Sequence, residues 1–451
     1  MYKLNLYESV ARYKERRSVL IKLNKLLKHW VNERYEKLTG TETVKQHFSA
    51  KIFTFGSYRL GIISPNSDID ALCVVPNFIT RHEFFVQFKN YLERFDEITF
   101  IKSLPDAYTP IMKLTFSGID IDLLLASLAL QNVSINNILD NNILKFLDDK
   151  SARSINGCRV NEVMFRLIPN KAAFVTVARF IKYWAKVRGI YSNVMGYFGG
   201  VAWMILITKI CQLNPDLLPN RLLEKFYEVY SDWKWPKAVK IFAVEDSIEE
   251  YGFRNYQSWN PRINTNDCSH LMPIITPAFP SMNTTHNVSH TTMQVIKQEF
   301  LFANEILKTD KSVNRWMKLV KPFCLEEKYN IILAIFVNAD DQQSYSNWQG
   351  WVESKVRFLF KSIEEYEKCE LRPFPHWFDI ILNNWNFSCL LGIGVELKKS
   401  DSAECINLEK PIQEFLYFIN KSNERVTYGD KVGLRIKIMS VEDFIGFTKI
   451  K

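Results

Sequence analysis

Two short acidic stretches and a glycine–serine pair are the residues in this chain best suited to chemistry. Phe55-Gly56-Ser57 is followed, ten residues on, by Asp68-Ile69-Asp70, and later by Ile119-Asp120-Ile121-Asp122-Leu123. Side chains at i and i+2 of a strand share a face, so Asp68 and Asp70 are expected to project together, about 7 Å apart. Like charges held that close are destabilising unless a cation sits between them. With a third carboxylate from a neighbouring strand they make a site for a hard divalent ion such as Mg²⁺, which also keeps waters and phosphates as ligands. Two such ions about 3.5–4 Å apart stabilise both the attacking and the leaving oxygen of an in-line phosphoryl transfer. Gly56 lets the backbone turn sharply after a strand, and Ser57 opens a helical turn whose free N–H groups suit a triphosphate. Each piece alone is commonplace, since exposed strand carboxylates abound and a lone Gly-Ser means nothing. The ordered set is specific. Asp120 and Asp122 share a strand face, so alternation leaves open which of them is the third ligand.

The elements that must hold these residues can be read coarsely. Residues 1–40 have helical spacing (Leu20, Leu23, Leu26, Leu27, Trp30) and read as two helices. Strand-like runs follow at 52–55, 69–75, 111–116 and 119–125, with a helical run at 81–95. From residue 171 to about 308 the pattern is helical, apart from a loop-rich stretch at 255–290. Strand-like runs at 331–337, 390–397 and 432–439 then surround an amphipathic helix at 348–367. The longest uncharged apolar run, Val201 to Ile207, falls far short of the roughly 20 residues a membrane helix needs. The first 20 residues carry charge throughout and lack a signal-peptide core, so a soluble intracellular protein is expected. Eight cysteines stand singly with no C-x-x-C pair, which fits reduced thiols. The net charge is +9, and residues 1–51 hold 12 Lys/Arg against 5 Glu, a bias that favours an acidic partner such as nucleic acid or simply a solvated helix face.

The Gly-Ser and carboxylate set resembles the DNA polymerase beta-like nucleotidyltransferases, and the likeness to the eukaryotic nuclear poly(A) polymerase family goes further. It rests on FGSYRLGIISPNSDIDALCVV (55–75), SINGCRV (154–160) and ARFIKYWAKVRGIYSNVMGYFGGVAW (178–203). It continues in HLMPIITPAFP (270–280), THNV (285–288) and WQGWVESKVR (348–357). The resemblance implies an α+β multidomain fold. Its parts are a polymerase-beta-like catalytic domain at 21–170, a helical middle domain at 171–310 and an RRM-like domain at 311–451. An N-terminal helix, 1–20, is expected to pack with the middle domain. The catalytic domain is expected to have about five strands with helices on one face, and a cleft between front and rear is expected to hold the substrates.

By the same resemblance the enzyme is a polynucleotide adenylyltransferase, a template-independent polymerase adding AMP from ATP to mRNA 3′ ends and releasing pyrophosphate. Asp68, Asp70 and Asp122 would hold two Mg²⁺ ions, for which Mn²⁺ substitutes. Phe55, Gly56, Ser57 and Ser64 would line the phosphates and sugar of ATP, and Lys182 and Tyr191 would position the phosphates. Asn193, Gly200 and Val201 would lie near sugar and adenine, and Lys113 near the base or primer end. Read alone, Lys182 is a surface lysine. The implied partners are the pre-mRNA 3′ end, ATP and the cleavage and polyadenylation machinery, for a monomer in the nucleus without membrane contact. The rear domain has no RNP1-type aromatic motif, so RNA binding there is expected to rest on charge and shape.

Two rival readings share much of this. A uridylyl- or CCA-adding transferase would carry the same three carboxylates, and a catalytically silent RNA-binding scaffold would not need them. Cys268-x-His270 followed by His286-x-x-x-His290 has finger-like spacing, but with a single cysteine and a Pro-rich loop between.

Overall fold

The computed structural model describes residues 4–40, 50–65, 67–129, 133–241, 257–365, 369–397 and 407–448. Cys405, the last residues of the helix expected to reach 367, and the start of the 255–290 loop lie outside them. The front sheet has five strands: β1 (Lys51–Thr54), β2 (Ile69–Pro76), β3 (Ile98–Leu104), β4 (Ile111–Phe116) and β5 (Ile119–Leu128). Their order is β1-β2-β5-β4-β3, with β2 and β5 parallel and the other pairs antiparallel. In that parallel register Asp70 stands beside Asp122.

Helices cover both faces of this sheet, not one as expected. Ala71, Cys73 and Val75 pack with Leu23, Leu27 and Trp30 of helix Val10–Thr39 and with Phe84 and Phe88. Leu72 and Val74 point the other way, onto Ala152, Ile155 and Cys158 of helix Asp149–Leu167. A strand with apolar side chains on both sides needs cover on both.

The N-terminal region is one helix, Val10–Thr39, rather than two. Ser9 caps its start by accepting from Arg12 N, and Gly40, at φ 64°, ends it in the left-handed conformation. Its buried residues Val19, Leu23, Leu27 and Trp30 lie on the front sheet, so the expected break at residue 20 is absent. What reaches the middle region precedes the helix: Leu4 packs there, and the Arg179 guanidinium sits 4.7 Å from the Tyr7 ring.

The middle region is built from helices Lys171–Val187, Gly200–Leu213, Pro219–Ser231 and His290–Thr309 around Trp184, Trp203, Phe226 and Phe300. The rear sheet comprises β6 (Ile331–Ala339), β7 (Cys369–Asp379), β8 (Phe387–Leu397) and β9 (Val432–Ser440), in the order β7-β8-β6-β9. Helix Gln342–Glu364 follows β6 and helix Glu409–Asn420 precedes β9, giving the β-α-β-β-α-β order of an RRM-like fold. One face packs Leu333, Ile335 and Leu391 on Trp348 and Val356; these belong to the same hydrophobic core as Trp184 and Phe300. The expected boundary at 310/311 therefore falls within a shared core. The opposite face, which an RRM leaves open, is covered by Leu325, Tyr329 and Phe444. Gly394 makes room for this, since a Cβ there would lie 2.5 Å from the Tyr329 ring.

Candidate active site

Beyond β1 the chain enters a single helical turn, Gly56–Arg59, against the start of β2. Phe55 N donates to Asp70 O at 3.0 Å. Gly56 has φ 61°, and a Cβ there would lie 2.1 Å from Asp70 Oδ2. Glycine is therefore needed twice over, for the backbone conformation and for the carboxylate pressed against it.

Of the three acids expected to hold metal, Asp70 is the most perturbed. Burial, then the charges of Asp68 and Asp122, push its carboxyl up to about 6, while Lys182 and Lys113 pull the other way. Asp122 is also raised, by burial first; Lys113 opposes this, and Asp68 and Asp120 add to it. Lys113, the cross-strand partner of Asp122, places Nζ 2.9 Å from Asp122 Oδ2. Asp120 instead accepts from Thr115 Oγ1 at 2.7 Å. Of the two candidates for third carboxylate, Asp122 is thus the one beside Asp70.

Lys182 and Tyr191 face the same acids from the middle region. Burial and the neighbouring Lys186 lower the Lys182 ammonium to about 8, although Asp68 and Asp70 favour its charge. Burial, then Asp70 and Asp68, push the Tyr191 hydroxyl up to about 12. Together these groups border a cleft of about 540 Å³, lined by Ser64, Asp68, Lys113, Asp122, Lys182 and Tyr191. Ser64 Oγ is hydrogen-bonded to Ser67 Oγ at 2.7 Å. Asp70 sits behind this lining, under Gly56. The cleft lies between front and middle regions, not between front and rear as expected, because the helix ending at Val187 and the loop after it form its second wall.

The remaining expected residues are placed less centrally. Phe55 and Gly56 join the site through Asp70 rather than by lining the cleft, and Ser57 follows them in the helical turn Gly56–Arg59. Gly200 lies behind Tyr191, where a Cβ would be 2.8 Å from its hydroxyl, and Asn193 packs on Gly199. Val201 is 45% exposed. Two polar atoms in this neighbourhood, Asn193 Oδ1 and Asn156 Oδ1, are buried with no hydrogen-bond partner among the described residues, and such atoms suit a bound ligand. Asn156 was not singled out from sequence, nor were Thr115 and Phe100, which line the cleft with Lys186. An Asn-Gly pair in the interior of helix Asp149–Leu167, where glycine is disfavoured, is the signal that points to Asn156; its neighbour Gly157 lies under the Phe55 ring.

The donor set fits divalent cations. Asp70 and Asp122 are raised first by burial and further by neighbouring acids, and a metal relieves both costs. Among the described residues no three acids, histidines or cysteines already close as a finished cage, and the Lys113 ammonium occupies one side of Asp122. The finger-like residues are engaged otherwise: Trp259 Nε1 donates to His270 Nδ1 at 3.0 Å, and Cys268 Sγ to Pro261 O at 2.9 Å.

Three family models match in succession: a poly(A) polymerase nucleotidyltransferase domain over residues 1–168, a poly(A) polymerase central domain over 173–322, and a poly(A) polymerase predicted RNA binding domain over 323–385. A poly(A) polymerase of Dictyostelium discoideum is 36% identical over 99% of this chain and 56% of its own length. Nuclear poly(A) polymerase 2 of Arabidopsis thaliana is 40% identical over 80% of this chain and 45% of its own length. The chain spans about half the length of the curated relatives it matches. Among solved structures, a cytoplasmic RNA terminal U-transferase superposes with a TM-score of 0.46 at 17% identity, covering 72% of this chain and 97% of that one.

Proposed function

The chain belongs to the poly(A) polymerase family, and we propose that it extends RNA 3′ ends with adenylate from ATP without a template. The observation that carries this is the meeting of Asp68, Asp70 and Asp122 at one end of a cleft whose other wall presents Lys182 and Tyr191. The RNA 3′ oxygen attacks the α-phosphorus of ATP, a phosphodiester bond forms, and the bond to the β-phosphate oxygen breaks to release pyrophosphate. Asp68, Asp70 and Asp122 would hold Mg²⁺ ions, which when bound neutralise charge on both oxygens of this displacement. The chain's own residues do the rest. Lys182 offers a buried cation to the triphosphate, a contact that strengthens as water is excluded. Gly56 presses the backbone against Asp70 and fixes its direction. The orphaned oxygens of Asn193 and Asn156 are acceptors for sugar or base donors.

Arabidopsis relatives bear the name nuclear poly(A) polymerase, which supports a nuclear role for this chain in pre-mRNA processing, with the cleavage and polyadenylation machinery as partner. Among the described residues no helix is long and apolar enough to cross a membrane.

Primer extension of a mixed-sequence RNA with Mg²⁺ and each nucleoside triphosphate in turn tests the reading. A ladder with ATP, accompanied by pyrophosphate, is expected. A preference for UTP would make the chain a uridylyltransferase, and no extension with any nucleotide would leave an RNA-binding scaffold.

A further inference from the structure

Asp68 stands just ahead of the strand that fixes Asp70. The register of β2 with β5 begins at Ile69, and its pairing with β1 reaches only Ala71. Asp70 is therefore set by the ladder, beside Asp122, whereas the direction of Asp68 depends on the loop before the strand. The charge of Asp68 also bears on both other acids, so repulsion drives the three carboxylates apart. A buried guanidinium holds that loop. Arg16, in helix Val10–Thr39, is 2% exposed, and all three of its nitrogens donate. Nη1 reaches Ser67 O at 2.7 Å, Nη2 reaches Pro65 O at 3.0 Å, and Nε reaches Glu8 Oε2 at 3.0 Å. An arginine keeps its charge when buried, so it needs a counter-charge, and Glu8, its side chain 6% exposed, supplies one. The start of the loop is gripped from the middle region, where Arg179 Nη2 donates to Gly61 O at 2.6 Å. One stretch of chain braces both grips, since the Tyr7 ring lies against Arg179 and the next residue is Glu8.

We propose that Arg16, held by Glu8, is the residue that positions Asp68. Its planar fork fixes the carbonyls of Pro65 and Ser67, and so aims the next carboxylate into the cleft against the repulsion of Asp70 and Asp122. The proposal rests on the polymerase reading of the cleft and names a residue outside the cleft lining on which its geometry depends. Arg16 acts through the backbone of the loop, so its role is positioning and not catalysis. The fork matters more than the charge: a lysine ammonium is a single point and cannot set the separation of two carbonyl oxygens. A metal-binding carboxylate misplaced by about 1 Å costs on the order of 100-fold in rate, even when the change that moves it lies away from the reacting atoms.

Arg16→Lys, Glu8→Gln and Val19→Ala in the full chain test this, the last as a control for lost stability, since Val19 is buried on the same helix against the front sheet. Arg16→Lys should lower kcat for primer extension with ATP roughly 100-fold and leave KM for the primer unmoved. It should also shrink the rise in melting temperature that Mg²⁺ alone gives wild type. Glu8→Gln, which lies ahead of the helix and leaves the apolar core intact, should do both more weakly. Val19→Ala should melt lower yet keep kcat and the Mg²⁺ rise, assayed below its melting temperature. Wild-type kcat in Arg16→Lys and Glu8→Gln, a full Mg²⁺ rise in both, or an equal loss of kcat in Val19→Ala would overturn the proposal. The Mg²⁺ rise needs neither RNA nor nucleotide, so it separates the two readings. If wild type extends no RNA with ATP while the rise still shrinks in Arg16→Lys, the polymerase reading falls and the positioning role stands.

Discussion

The middle region meets its two neighbours in opposite ways. Against the rear it is welded. Glu299 is clasped by Arg188 (2.7 Å) and Arg372 (2.7 Å), and the Glu299 and Arg372 side chains are 3% and 2% exposed. Arg372 Nη2 donates to Arg188 O, Phe323 N donates to Val187 O, and apolar side chains from both regions share one core. Against the front, Leu60 and Ile62 join that core at one side, but the rest of the junction opens into a polar cleft. Across the molecule, Lys102 Nζ donates to Asn347 Oδ1 at 2.6 Å, tying front to rear with a half-buried hydrogen bond. A buried ion cluster contributes little net stability but is intolerant of losing one member, so it fixes orientation. The rigid seam fixes the rear sheet against the loop that carries Tyr191, while the wetter junction is where closure would occur.

If that contrast is right, mutations on the two sides should separate activity from stability. Asp68→Ala, Asp70→Ala or Asp122→Ala should abolish adenylation while leaving thermal unfolding unchanged or slightly raised, read by primer extension and by melting with chelator present. The Asp70 carboxyl is raised from 3.8 to about 6, so the folded state gains from its proton below pH 4 and loses that gain as pH rises through 6. Asp70→Asn should therefore be more stable than wild type above pH 6 in chelator, by roughly 1–3 kcal/mol, and equal to it near pH 4. Added Mg²⁺ should stabilise wild type and not the variant.

Glu299→Ala, on the welded side, should cost about 3–5 kcal/mol by stranding two buried guanidinium groups, measured by denaturant unfolding. A loss below 1 kcal/mol would show the seam to be wetter than described. Lys182→Ala should lower kcat/KM for ATP roughly 10- to 150-fold, about 1.5–3 kcal/mol, and by a similar factor for other nucleotides, since phosphate contacts do not read the base. Lys182 holds its charge below about pH 8 and loses it above, so ATP capture by the free enzyme should weaken on the alkaline side. Lys102→Ala should change stability by less than about 0.5 kcal/mol; a larger loss would mean that front and rear are also locked.

The sequence announces the cleft far better than the seam. Gly56, Ser57, Asp68 and Asp70 are legible because phosphoryl-transfer chemistry uses those types at close spacing, whereas alternation leaves Asp120 and Asp122 equal and only the family resemblance prefers Asp122. What forces Gly56, the 2.1 Å approach to Asp70, depends on tertiary packing and has no local trace. Glu299, Arg188 and Arg372 read as surface charges, since partners 111 and 73 residues apart leave no pattern. Strand β3 (Ile98–Leu104) hides because its half-exposed residues break alternation. The unbroken apolar run Ala71–Val75 does carry the two-sided burial that the one-face expectation missed, because a strand covered on both sides loses its period of two. The long N-terminal helix reads as two because charged residues interrupt its apolar stripe, and packing on the front sheet outweighs that local signal.

The assignment at stake is Asp122, beside Asp70 in the parallel β2–β5 register, as third acid of the reacting set, against Asp120, which lines the same cleft but accepts from Thr115. It is tested most directly by comparing Asp122→Ala with Asp120→Ala in extension of one RNA primer with ATP and Mg²⁺, both variants first shown to melt as wild type does. No product is expected from Asp122→Ala and near wild-type ladders from Asp120→Ala; an active Asp122→Ala beside a dead Asp120→Ala would refute the assignment.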